Sequence, residues 1–148
     1  MFDAVAEMLR GMVSPELGEL RCRARRYGIK VWFGPEHPAR EHYEAQVIGA
    51  DYAEDATLLA LEVGFHAEHP QVAENEAVID SLRGSEARWR PMLGEEAIVG
   101  PFLGRPDCWR RVSETWPDPD LGEPDLAVEI AVRLADYMAA LEPVLRDR

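Results

Sequence analysis

The chain is expected to fold as a single α+β domain, an antiparallel five-stranded sheet with helices packed mainly on one face. Three observations predict it. Apolar residues recur at helical spacing near both ends of the chain, at Phe2, Val5 and Met12 and again from Leu126 to Leu145. Segments between them alternate with the two-residue period of half-buried strands. No Pro- or Gly-rich stretch separates two compositions that would each make a core, so residues 1–148 form one domain.

Taken in order, residues 2–12 predict an amphipathic helix closed by Gly11 and Ser14-Pro15. Ser14 as N-cap, Pro15 at the first helical position and Glu16 in the first turn then predict a second helix over 15–27, ended by Gly28. A competing reading exists, because Leu20, Cys22 and Ala24 alternate with Arg21, Arg23 and Arg25 as in a strand. The start and stop signals favour helix. Ile29 to Gly34 is β-branched and aromatic, and the breaker Gly34-Pro35-Glu36-His37-Pro38 ends it. Residues 42–49 and 58–66 alternate apolar with mixed side chains, and the short polar link between them suits an antiparallel hairpin. A helix follows from Pro70, with Val72, Asn75, Ile79 and Leu82 on one face, and Gly84-Ser85 interrupts it. Residues 97–103 and 109–116 predict two strands, the first pushed to a sheet edge by Pro101. The acidic turn 117–124 leads into a last helix, patterned by Leu126, Ile130, Leu134, Leu141 and Leu145. The expected order is α-α-β-β-β-α-β-β-α.

The sequence carries 28 acids against 16 bases, a net charge of −12, which argues against nucleic acid as a partner. No apolar run approaches the roughly 18 residues of a membrane span, and the N-terminus lacks a basic region before an apolar stretch, so no membrane association and a cytoplasmic setting are expected. Cys22 and Cys108 show no C-x-x-C spacing and behave as small apolar side chains. The common phosphate cradles G-x-G-x-x-G and G-x-x-x-x-G-K-[ST] do not occur, nor does a G-x-S-x-G elbow, so no cofactor is expected.

All four histidines, His37, His42, His66 and His69, fall within 33 residues and are interleaved with Glu36, Glu41, Glu44, Glu62 and Glu68. Imidazole and carboxylate are the groups of a transition-metal site, for which His66 and His69 are the nearest pair in sequence. Glu62 and His66 share a strand face but lie about 13 Å apart at roughly 3.3 Å per residue, too far to hold one ion unaided. A site therefore needs neighbouring strands, such as Glu44 with Glu62 or His42 with His66. The same four residues, Glu44, Glu62, His42 and His66, are the candidates for acid–base catalysis on the sheet face. The competing reading places the histidines on a mixed sheet face and its adjoining turns. Arg21, Arg23, Arg25 and Arg26 are the one basic patch, read as a solvated helix face paired with local acids. Trp32 falls opposite Ile29, Val31 and Phe33 and is expected at an exposed interface.

From Leu58 to Leu145, the segment Leu61-Glu62-Val63-Gly64-Phe65-His66-Ala67-Glu68, then Asn75 to Leu82, two strands, an acidic turn and a Leu-patterned helix resembles an uncharacterised α+β domain family found with restriction-endonuclease-like proteins. The acidic-x-Lys element of a nuclease is missing, since Val63 and Gly64 follow Glu62. In element order the chain also resembles secretion-chaperone-like dimers. These resemblances imply a non-enzymatic protein-interaction or chaperone-like module acting as a homodimer. The alternative is a small metal-dependent or acid–base hydrolase with its site on the open sheet face.

Overall fold

Alternation along the central strands decides which residues face helices and which face outward. The computed structural model describes residues 1–35 and 39–148; Glu36, His37 and Pro38 lie outside the described residues. The chain runs α1 (Phe2–Met12), a 3-10 turn (Pro15–Leu17), β1 (Leu20–Ala24), β2 (Gly28–Phe33), β3 (Glu41–Gly49) and β4 (Leu59–Ala67). It continues through α2 (Val72–Gly84), α3 (Glu86–Leu93), β5 (Ile98–Phe102), β6 (Arg105–Pro117) and α4 (Leu126–Arg146). Among the described residues the strands form one six-stranded sheet in the order β1-β2-β3-β4-β6-β5, with every neighbouring pair antiparallel. None of the described helices is long and apolar enough to cross a membrane.

The sixth strand corrects the expected five and the expected second helix over 15–27. Ser14 and Pro15 do start a helical turn, with Ser14 Oγ accepting from Glu16 N–H, but it ends at Gly18, whose φ of 106° no helix continues. The two-residue alternation then wins. Cys22 pairs with Val31 on β2 and leans on the core, while Arg21 and Arg23 pair with Trp32 and Lys30 on the opposite face. Burial of one strand face against α1 outweighs a local capping signal worth about 1 kcal/mol.

The core lies between the sheet and the helices. Ile29, Val31, Tyr43, Ala45, Leu61, Val63, Phe65 and Val112 face Val5 and Leu9 of α1 and Ile130, Leu134, Tyr137 and Leu141 of α4, all buried. The helical stripe expected on the last helix is the buried one. Tyr43 and Tyr137 bring hydroxyls into this layer and satisfy them by donating to Glu142 (3.0 Å) and Glu114 (2.9 Å).

β6 begins at Arg105, four residues before the expected start. Its pairing with β5 is broken by a large bulge: Pro101 sits opposite Arg110, yet the next residue, Phe102, sits opposite Arg105. Residues 106–109 pair with neither neighbouring strand, which is why Pro106 is tolerated there. The bulge swings Phe102 and Trp109 over the face of the sheet that the helices leave open, their rings 5.2 Å apart.

β4 and β6 approach closely at Gly64, where a Cβ would stand 2.4 Å from the Val112 carbonyl oxygen and 2.5 Å from Ser113 Cα. Both obstacles are backbone and cannot rotate away. Gly64→Ala should therefore lower stability by at least about 2 kcal/mol. Denaturant midpoints of the two proteins test this, and an unchanged midpoint counts against so tight an approach.

Candidate metal centre

Every second residue of β3 and β4 points away from the helices, which places His42, Glu44 and Gln46 beside His66, Gly64 and Glu62 on the open face. The pairing register sets His42 directly across from His66, Glu44 across from Gly64, and Gln46 across from Glu62. Glu68 follows one residue after β4, its N–H donating to the Arg40 carbonyl, so its side chain returns to the same face. Glu44 and Glu68 thus flank the histidine pair from opposite ends, and Gly64 leaves no side chain between them.

The four side chains converge. His42, Glu44, His66 and Glu68 each offer a ligand atom, and these atoms lie within 4.8 Å of one another. His42 Nε2 is 3.2 Å from Glu44 Oε2 and 3.4 Å from Glu68 Oε1; His66 Nδ1 is 3.1 Å and 3.5 Å from the same two oxygens. Ligands held at about 2.1 Å in a tetrahedron are separated by roughly 3.4 Å, and the four imidazole–carboxylate distances lie near that value, within a set spanning up to 4.8 Å.

Both histidines are oriented from behind. His42 Nδ1 is 2.8 Å from the Ala39 carbonyl, a bond only an N–H can make, which turns Nε2 toward the cluster. His66 Nε2 lies 3.1 Å from Glu62 Oε1, out of line for a hydrogen bond, and has no other partner. Glu62 is itself held by Gln46 Nε2 (2.8 Å) and Ser113 Oγ (2.7 Å), and Arg111 donates to Ser113 Oγ. Carboxylates and carbonyls on the far nitrogen are the supports found behind metal-bound imidazoles.

Burial is deep for so many charges. His42, Glu62 and His66 are at most 1% exposed, Glu44 8% and Glu68 9%. The Phe102 ring, 4.6 Å from that of His66, closes the far side. Lys30, opposite Glu44 on β2, reaches Glu68 Oε2 at 3.4 Å and Glu44 Oε2 at 3.9 Å. Desolvation is the largest influence on each carboxylate and opposes ionisation, but the imidazoles outweigh it and hold Glu44 and Glu62 at about 2 and Glu68 lower still. Desolvation likewise opposes charge on His66, yet Glu62, Glu44 and Glu68 raise its pKa well above the ordinary 6.5, and His42 moves in the same direction. The three carboxylates thereby favour the charged form of both imidazoles, and Lys30 and, beside Glu62, Arg111 add positive charge around them.

The residues singled out in the sequence fare differently. His42, Glu44, His66 and Glu62 come together, but Glu62 touches His66 on the nitrogen turned away from the other three. Its Cα is far along the strand, yet the two long side chains lean toward each other. His69 stands apart, between Glu41 (2.8 Å) and Glu74 (3.0 Å). Glu68 joins the cluster without having been singled out, although His42-Tyr43-Glu44 and His66-Ala67-Glu68 repeat one H-x-E spacing on the two strands. His42 and His66 are buried on the mixed sheet face, and His69 follows in the turn after β4. Trp32 corrects another expectation: it is buried, its indole N–H donating to the Pro35 carbonyl.

An open cleft of about 320 Å³ lies over Glu44 and Glu68, walled by Lys30, Tyr52, Phe102, Arg105 and Trp109. A ligand in it meets the two carboxylates first and the histidines beneath them.

The shifts fix how stability of metal-free protein varies with pH. Glu44 and Glu62 have lowered pKa values, so their contribution is present above about 4.5 and is lost as pH falls toward 2. His66 and His42 have raised values, so theirs is present below 6.5 and is lost as pH rises through the elevated pKa. Chelator-treated protein should be most stable between about pH 4.5 and 6.5, and His66→Gln should flatten the alkaline limb. Thermal unfolding across pH reads both limbs, and an alkaline limb unchanged in the variant contradicts the assignment.

Neither a protein-family model, a curated protein nor a solved structure matches this chain.

Proposed function

We propose that the chain is a metalloprotein that binds one divalent transition-metal ion through His42, Glu44, His66 and Glu68 and uses it for hydrolysis in the overlying cleft. The observation that carries this reading is the convergence of four ligand atoms, within 4.8 Å of one another, from two adjacent strands. Two imidazoles with two carboxylates suit zinc, manganese or iron better than calcium or magnesium, which prefer all-oxygen shells. With a coordination position left open toward the cleft, such an ion would polarise a carbonyl or phosphoryl oxygen and acidify a bound water. The protein's part is to aim His42 through the Ala39 carbonyl, to set Glu62 behind His66, and to keep Glu44 and Glu68 facing the cleft. Lys30 limits the negative charge there, and Phe102 shields the buried side of His66.

Metal analysis and cobalt substitution test the reading. Chelated protein should take up one equivalent per chain, with the low-symmetry visible spectrum of four-coordinate cobalt. His66→Ala and Glu44→Ala should abolish uptake, Glu62→Gln should weaken it about 10- to 100-fold, and His69→Ala should leave it unchanged. Wild-type protein that retains no ion removes the proposal. Near pH 6, uptake should release about two protons per ion, read from calorimetry in buffers of different ionisation enthalpy. Affinity should accordingly rise with pH.

A second reading, homodimer formation without chemistry, rests on Val128 and Val132, which stand 41% and 45% exposed on α4 beside Trp116. It expects a mass near twice 16.7 kDa that Val132→Glu halves. Sedimentation showing a monomer in both proteins eliminates it.

A further inference from the structure

The cleft over the cluster does not stop at Lys30. A second concavity, of about 300 Å³, shares Lys30, Glu44 and Gln46 with it and ends at Arg23, Arg25, Arg26 and Tyr27 on the β1–β2 hairpin. The register explains the alignment. Arg23 pairs with Lys30, Lys30 with Glu44, and Glu44 with Gly64, so one lateral row of open-face positions runs from the arginines to the cluster. Two strand spacings of roughly 4.8 Å put the Arg23 backbone about 10 Å from that of Glu44.

The charges of this end are out of keeping with the rest of the molecule. In a chain of net charge −12, most arginines have a carboxylate partner: Arg10, Arg21, Arg83, Arg88, Arg90, Arg110, Arg133, Arg146 and Arg148 all do. Arg23, Arg25 and Arg26, like Arg40, Arg105 and Arg111, have none among the described residues, but these three gather on one hairpin; Arg26 lies over the Tyr27 ring, 5.1 Å from its centroid. They are exposed and line a concavity, whereas a basic patch on a convex helix would have scattered. Guanidinium groups that line one concavity without carboxylate partners favour a multiply charged anion whose oxygens accept several N–H bonds.

We propose that the arginine end of the cleft is an anion subsite that holds a phosphate group of a small substrate while the metal centre acts on the substrate's other end. The assignment of the reacting end rests on the metal-centre reading; the phosphate subsite stands on the arginines. A phosphate dianion meets the charge of the site better than a single carboxylate. A nucleic-acid polymer fits poorly, because its flanking phosphates would run over the acidic remainder of the surface.

The test is calorimetric titration of inorganic phosphate into full-length protein at low ionic strength, both zinc-loaded and chelated. Arg23→Gln, Arg25→Gln and the triple variant with Arg26→Gln are compared with an Arg83→Gln control, each checked for unchanged melting. Phosphate should bind chelated wild-type protein, the triple variant should bind at least about tenfold more weakly, and the control should match wild type. Metal uptake by the triple variant should stay at one equivalent. Phosphate that binds only zinc-loaded protein, indifferent to the arginine changes, overturns the subsite. So does acetate that binds as tightly as phosphate. Failure of the metal reading shows separately, as absence of zinc uptake by wild type, and leaves the phosphate result on chelated protein intact.

Discussion

The register of β3 against β4 is the constraint on which the rest depends, because it puts two histidines opposite each other between two glutamates. Slipping β3 by one residue against β4 would turn His42 and Glu44 into the apolar layer under α1 and α4 and push Tyr43 and Ala45 outward. That exchange would expose apolar side chains to water and strand charged groups in the core, and its cost makes the register singular. The apolar face therefore specifies the polar one. Tyr43 against Phe65 in the core, rings 5.5 Å apart, and His42 against His66 on the far face are two consequences of one alignment.

A buried cluster of three carboxylates and two imidazoles is poor evidence for stability in itself, since desolvation offsets most of what the charges gain from one another. Apolar residues of similar volume would hold β3 to β4 at least as well. What the cluster has is order: Lys30 faces Glu44 and Glu68, Glu62 is fixed by Gln46 and Ser113, and four possible ligand atoms lie within 4.8 Å of one another. That combination fits a site built for an ion.

The bulge in β6 gives this site its cover. By letting residues 106–109 bypass the ladder it carries Phe102 onto His66 and stacks Arg105 on Trp109, 4.4 Å from the ring centroid. One side of the cluster is thereby closed, while Glu44 and Glu68 stay open to the cleft that continues to the arginines of the β1–β2 hairpin. Acid at the centre and base at the edge lie along one row of the sheet.

By itself the sequence determined the α+β class, the first and last helices and the central strands, because helical and strand periods are local properties of side-chain spacing; the half-buried strands it implied are instead buried on both faces along most of β4. It also brought His42, Glu44, Glu62 and His66 into one set, since alternation assigns each to the face away from the core. The strand at Leu20–Ala24 needed the tertiary structure, for its capping signal and its alternation conflict and only packing against β2 and α1 resolves them. So did the inclusion of Glu68 and the exclusion of His69, adjacent residues at the strand's end, where the chain turns and period no longer predicts direction. Register, burial and the bulge that covers His66 are relations between segments far apart in sequence, and their energies exist only once those segments have met.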